Sequence, residues 1–229
     1  MNGAQLKLMA IIIMLIDHTG ALLFPKVRIL RVIGRLAFPI FAYFISEGYI
    51  KTSNVKKYQK RLLVFALISQ IPFYLAFKNV LYLNIFFTLF LGLYAIKVYD
   101  EKGSISIIWI IGILAQIINT DYGLYGVFTI YLFYKYHEDF KTMAKKQVFL
   151  NVIFVSVIFL ITILSAFNKG KDGTWIFMTL IGVSMQAVSL VSLFFIKRYN
   201  GERGRSMKYL FYGFYPVHLM ILWMIKSIV

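Results

Sequence analysis

The sequence predicts an all-α, polytopic integral membrane bundle of about nine transmembrane helices. Three observations carry this. Of the 229 residues, 60% are hydrophobic and only 15% are charged, where average soluble domains hold roughly 45–50% and about 25%. The mean hydropathy is +0.76. Apolar windows of about 20 residues, the length needed to cross a bilayer core, follow one another almost end to end. So much apolar surface has no soluble core large enough to hide it.

The spans are read in order at 6–24, 32–50, 61–78, 81–99, 104–120, 122–136, 146–167, 174–197 and 208–228. The first contains the apolar run from Ile11 to Leu23, interrupted by Asp17 and His18, and lacks the small-residue cleavage pattern of a signal peptide. The second carries Arg35 one turn in and Glu47 near its far end. The third and fourth contain Gln70 and Asn84. The fifth and sixth are short and separated by the polar stretch Asn119-Thr120-Asp121-Tyr122-Gly123, so a re-entrant pair is the alternative to two full spans. The eighth contains Gln186, and the ninth contains Pro216 and His218. Connections are short, no linker or repeat is visible, and residues 1–229 read as a single domain.

The composition excludes whole classes of function. With no cysteine, disulfide scaffolds, zinc fingers, thiol nucleophiles and iron–sulfur centres are ruled out. No phosphate-binding glycine loop, HExxH or GxSxG is present. The net charge of +16 would suggest nucleic acid in a soluble protein. Placed on the spans it reads instead as topology. Seventeen of the 25 Lys and Arg fall at the N-terminus and in the even-numbered loops, among them Lys51, Lys56, Lys57, Lys60, Arg61, Arg203, Arg205 and Lys208. Seven, including Lys26, Lys169 and Lys171, fall on the other side. The positive-inside rule then places the N-terminus in the cytoplasm of a multi-pass cell-membrane protein, with the lipid bilayer as a partner and nucleic acid excluded.

Ionisable groups at membrane depth cost about 2.5–3.5 kcal/mol each on insertion scales, so they persist where paired or employed. Given the span directions, Asp17, His18, Arg35, Asn84, Asp121 and His218 fall at similar depth in the outer half. Adjacent helical residues point about 100° apart, so Asp17 need not touch His18 and is available to Arg35. Arg28, Arg31 and Arg35 form one stripe; the outer two read as snorkelling to headgroups, whereas Arg35 lies deeper. Tyr215 and His218 share a face, and Pro216 frees the Tyr212 carbonyl. A neutral imidazole can act as general base, a carboxylate can orient it, and Arg or Asn can stabilise an oxyanion. That inventory fits acyl transfer, and equally a proton-coupled transporter or flippase. A zinc site from His18, His218 and a carboxylate has no support from spacing, so no metal is expected.

Five segments, in order, resemble the TraX family, named for the conjugation protein that N-acetylates F pilin. They are Leu15–Gly20, Gly34–Tyr43 with Glu47-Gly48, Leu83–Leu89, Asp121–Val127 and Phe214–Leu219. The resemblance implies an acetyl-CoA-dependent membrane acetyltransferase related to the histidine-dependent transmembrane acyltransferases. Carried over, His18 is the catalytic base, Asp17 its motif neighbour, and Arg35 and His218 further site residues. Arg35, Lys56, Lys57, Lys60 and Arg61 are then the expected donor-binding cations. Asn84, Asp121, Tyr122 and Tyr215 are the expected substrate-binding set. The acceptor stays open between a peptide N-terminus, a glycan and a lipid.

Overall fold

The computed structural model describes every residue except Lys169, Lys171 and Val229, together with the side chain of Lys208. The cations counted above at 169 and 171 thus lie outside the described residues. The structure is helical throughout: α1 Gly3–Leu22, α2 Arg28–Gly34, α3 Ala37–Lys51, α4 Val55–Phe77, α5 Ile85–Lys102, α6 Ile105–Ile117, α7 Gly123–Lys135, α8 Phe140–Asn168, α9 Gly173–Ser184, α10 Ser192–Lys197 and α11 Lys208–Ile228. A 3₁₀ segment, Met185–Val191, joins α9 to α10. Since α2–α3 and α9–α10 each make one interrupted rod, the described residues form nine rods, the expected all-α bundle. Among the described residues, five helices are long and apolar enough to cross a membrane: α1, α2–α3, α4, α8 and α9–α10.

The breaks follow from local chemistry. Asn2 and Gln5 close a reciprocal capping box that starts α1. Pro39 has no N–H to offer the Arg35 carbonyl, and the chain tightens there, with the amides of Arg35 and Leu36 bonding three residues back to Val32 and Ile33. This separates α2 from α3 and turns Arg35 out of a regular helical stripe. Asn54 and Asn84 cap α4 and α5, while Lys78 and Gly103 end them in left-handed conformations.

The short pair α6 and α7 packs along α5. Each has 13 residues, about 20 Å of helix. At one end Leu83, just before α5, exchanges backbone hydrogen bonds of 2.9 Å with Asn119 and Asp121 between α6 and α7. At the other end the Tyr134 hydroxyl of α7 donates to Asp100 near the end of α5. Both helices therefore run nearly the whole height of α5.

The even-numbered loops meet at one end of the bundle. The N-terminal amine donates to the Arg198 carbonyl at 3.0 Å. Lys51 Nζ donates to the Gly201 carbonyl at 2.7 Å. Tyr49 donates to Asp100 at 2.8 Å, and His137 pairs with Glu47 at 2.7 Å. We call this the N-terminal end. The core runs through α3, α5 and α7, where Ile40, Leu93, Ile96, Val127 and Ile130 are fully buried. Helix α8 lies outside, presenting Phe149, Val152, Leu160 and Phe167 on an exposed apolar face. It is held by buried amides: Gln147 donates to the Thr129 carbonyl at 2.9 Å, and Asn151 to Tyr125 at 3.1 Å and Ser189 at 3.0 Å.

Candidate active site

A cavity of about 440 Å³ opens among α1, α3, α4, α5 and α11. Pockets of about 300–1,000 Å³ accept small ligands. Its deep wall carries Asp17, His18, Asp121, Tyr122 and Tyr215; its mouth, at the N-terminal end, carries Lys7, Lys51, Arg61, Arg203 and Arg205. Between them the walls are largely aromatic, with Phe38, Phe41, Phe44, Phe86, Phe211 and Tyr212.

The two histidines, 200 residues apart, touch. His18 Nδ1 lies 2.6 Å from His218 Nε2, and the rings are nearly coplanar at 6°. His218 Nδ1 lies 2.6 Å from the Phe214 carbonyl. A carbonyl only accepts, so His218 Nδ1 carries the proton. In the neutral ring its Nε2 is then an acceptor, and the proton of the pair sits on His18 Nδ1. His18 Nε2 is left with its lone pair, on a ring that lines the cavity. That is the form a general base must have. His218 is 4% exposed and does not itself line the cavity. Phe214 stacks on it at 4.7 Å, and Tyr215 meets both imidazoles edge-on.

Asp17 pairs with Arg31, not Arg35: Arg31 Nη1 lies 2.5 Å from Asp17 Oδ2. The reading of Arg31 as a headgroup anchor is thereby corrected, because α1 and α2 pack closely enough for the pair to form. Gly34 makes that approach possible, as any β-carbon there would overlap the Asp17 side chain. Asp17 Oδ1 and Arg35 Nε are buried without hydrogen-bond partners. Arg35 stands behind the cavity wall, hydrogen-bonded to the Tyr122 side chain and within electrostatic reach of Asp17 and Asp121. Tyr122 has φ +63°; its ring stacks on Phe38 at 3.9 Å and lines the cavity. Asp121, in the loop before α7, accepts the Thr88 hydroxyl on its carbonyl. Burial pushes its carboxyl up to about 6 against the pull of Arg35. The Tyr215 hydroxyl meets the Ile85 backbone amide.

Asn84 does not reach the cavity. Its amide donates to the Ala66 carbonyl at 2.7 Å and to Gln70 Oε1 at 2.8 Å, while its oxygen caps Phe86 at 3.0 Å. It joins α4 to α5. Asn84→Ala is therefore expected to destabilise the protein by about 2–4 kcal/mol, from a lost cap and orphaned buried partners. Thermal unfolding in detergent would show it, with turnover per folded molecule unchanged. Of the cations assigned to the donor, only Arg61 lines the cavity; Lys56, Lys57 and Lys60 are exposed on the α4 surface. The residues missed were Lys7, Lys51, Arg203 and Arg205. All four lay on the cation-rich side of the charge count, which was the available signal.

Residues 2–226 match the family described as TraX protein. The chain belongs to the TraX family. A relative, the "Probable fimbrial assembly protein FimC, serogroup H1" of Dichelobacter nodosus, is 31% identical over 242 residues, covering 96% of this chain and 94% of that protein. An uncharacterized protein of Rickettsia prowazekii, RP591, is 37% identical over 87 residues, covering 38% of this chain and 33% of its own length. No solved structure matches. The TraX segments noted in the sequence meet in this fold: 15–20, 34–43, 121–127 and 214–219 each contribute to the deep wall or to the groups directly behind it.

Proposed function

We propose that this chain is a membrane acyltransferase that moves an acetyl group from acetyl-CoA to an amine or hydroxyl acceptor. The observation that carries the reading is the bare Nε2 of His18, held by the His218–Phe214 chain, at the end of a cavity whose mouth is cationic. The positive-inside rule puts that mouth in the cytoplasm, where acetyl-CoA is made, and the histidines nearer the outer face. The relative's name, a probable fimbrial assembly protein, makes a pilin-type peptide N-terminus one acceptor; a glycan or lipid hydroxyl would meet the same base.

In this scheme the acceptor N–H or O–H lies against His18 Nε2. As the acceptor attacks the thioester carbonyl, His18 takes its proton, and the charge on the imidazolium spreads to His218 through their hydrogen bond. The tetrahedral intermediate collapses, the C–S bond breaks, and the proton passes from His18 to the CoA thiolate. The carbonyl oxygen needs a donor. Tyr122 suits this role, since its hydroxyl is polarised by Arg35 from behind and its ring lines the cavity. Arg35 is then a positioning residue acting through Tyr122.

The test is thioester turnover by the purified protein in lipid nanodiscs. Release of free CoA that depends on an added peptide amine or sugar hydroxyl is the expected result. No release with any acceptor, together with proton movement across proteoliposomes, would identify a transporter instead.

A further inference from the structure

The deep end of the cavity stops at His18. Its imidazole lines the cavity and also meets the ring of Phe77 edge-on at 5.8 Å. Phe77, the last residue of α4, does not line the cavity and is partly exposed. Residues 78–81, which follow it, are exposed. One aromatic ring therefore stands between the base and the surface, at the end of the bundle opposite the cationic mouth. That end is the outer face under the positive-inside rule.

The segment that carries Phe77 is weakly tied. Pro72 lies inside α4 and has no N–H for the Ile68 carbonyl, so the helix lacks a rung just before its last turn. After Phe77 the chain leaves the helix at Lys78, in a left-handed conformation with φ +54°. Among the described residues, the hydrogen bonds of 78–81 are local: Lys78 N–H to the Tyr74 carbonyl at 2.7 Å, and Leu81 N–H to Asn79 Oδ1 at 3.2 Å. Firm anchorage resumes at Tyr82, whose carbonyl accepts Gln70 Nε2 at 2.8 Å, and at Leu83, which bonds to the loop between α6 and α7. Residues 72–81 thus form a flap with a missing rung at one end and a pinned joint at the other.

The inner face of the flap is apolar. Phe73 packs on Phe77 with ring centroids 5.0 Å apart and on Tyr82 at 6.3 Å. The flank formed by α2 differs. There the Arg31–Asp17 pair at 2.5 Å and the close approach at Gly34 hold α2 against α1. Opening that flank breaks a partly buried ion pair, whereas lifting Phe77 gives up ring contacts. The Phe77 side is the easier way to the base. A way is needed, because a donor lying in the cavity blocks the mouth while a second substrate must still reach His18 Nε2.

We infer that Phe77 is the gate on the acceptor side: its ring seals the far side of His18 against water, and residues 72–81 swing about Pro72 to admit the acceptor. This rests on the acyltransferase reading for what passes the gate, but not for the gate itself. Without the ring, water takes the acceptor's place. Its oxygen attacks the thioester carbonyl while His18 takes its proton; the C–S bond breaks, His18 returns the proton to the thiolate, and acetic acid and CoA leave.

The experiment uses the absence of cysteine in the chain. Met14→Cys places a single thiol on the cavity wall, about one turn before His18. A membrane-impermeant methanethiosulfonate is applied to right-side-out and to inverted vesicles, and CoA release without acceptor is measured on the purified protein. Phe77→Ala is expected to speed labelling in right-side-out vesicles by about tenfold and acceptor-independent CoA release by about fivefold. Labelling in inverted vesicles, through the mouth, stays as it was. Phe77→Leu moves both readouts the same way, so the result does not hang on the folding of one variant. Phe77→Tyr, which restores the ring, rescues them. Pro72→Ala, which returns the N–H, slows labelling from the outer side by about threefold. Labelling and hydrolysis that ignore both Phe77→Ala and Phe77→Leu in folded protein overturn the gate, and so does a rise confined to inverted vesicles. Faster outer labelling in a protein that turns over no thioester leaves the gate standing and refutes the acyltransferase. Acceptor-dependent turnover with labelling indifferent to Phe77 does the reverse.

Discussion

His18→Ala is expected to lower acetyl transfer by about 10³-fold or more, in the upper part of the range for loss of a general base that also organises the reacting groups. Binding of CoA at the mouth should be retained, since that region lies about 16 Å away along α1. His218→Ala tests the other half of the pair. It leaves the His18 Nδ1–H without an acceptor and frees the ring to adopt the opposite tautomer or rotate. Turnover should fall by about 10²-fold with KM for the donor little changed, the sign of a group that acts on the transition state through its neighbour. The measurement is the initial rate of CoA release against donor concentration for each folded variant. Wild-type turnover in His18→Ala would remove the base from the scheme. A change in KM alone for His218→Ala would reduce that histidine to a packing residue.

Gly34→Ala should be nearly as damaging, though it adds a single methyl group. That methyl overlaps the Asp17 side chain. The helices must separate or Asp17 must swing away from Arg31, and both outcomes disturb the residue that precedes His18. Overpacking alone costs about 1–3 kcal/mol. Breaking a partly buried ion pair adds to it, and the side chains are only 33% and 19% exposed. Thermal unfolding in detergent is expected to show a clear loss, and turnover should fall together with it. Gly182→Ala is the control: no atom lies within 4 Å of a β-carbon placed there. Equal stability of the two variants would mean that the close packing of α1 on α2 is not what positions Asp17.

The sequence was informative where a single residue's transfer cost or a repeating pattern carries the signal. Apolar windows exposed the nine rods because each must be apolar over its own length. Asp17, His18, Arg35 and His218 stood out because each is costly in an apolar run. Boundaries and breaks were less legible. The interruption at Arg35 depends on what Pro39 withholds from a carbonyl four residues back. The extension of α8 to Phe140 lies in a polar segment that hydropathy reads as loop. Asn84 was misread for a clear reason: a polar side chain at span depth looks the same from sequence whether it faces a cavity or bridges two helices.

What the sequence determined by itself is therefore the solvent of the chain and the cast of its site: a helical membrane bundle with a surplus of cations on one side and a few ionisable groups inside. What only the tertiary structure decided is who meets whom. Arg31 takes Asp17 and leaves Arg35 to Tyr122; His18 meets His218 across 200 residues; Lys56, Lys57 and Lys60 turn outward while Lys7, Lys51, Arg203 and Arg205 converge. The physical reason is that periodicity and charge are properties of one helix at a time. Pairing depends on how closely two helices approach, and here that is set by small residues such as Gly34 and by carbonyls such as that of Phe214, whose roles exist only once the bundle has packed.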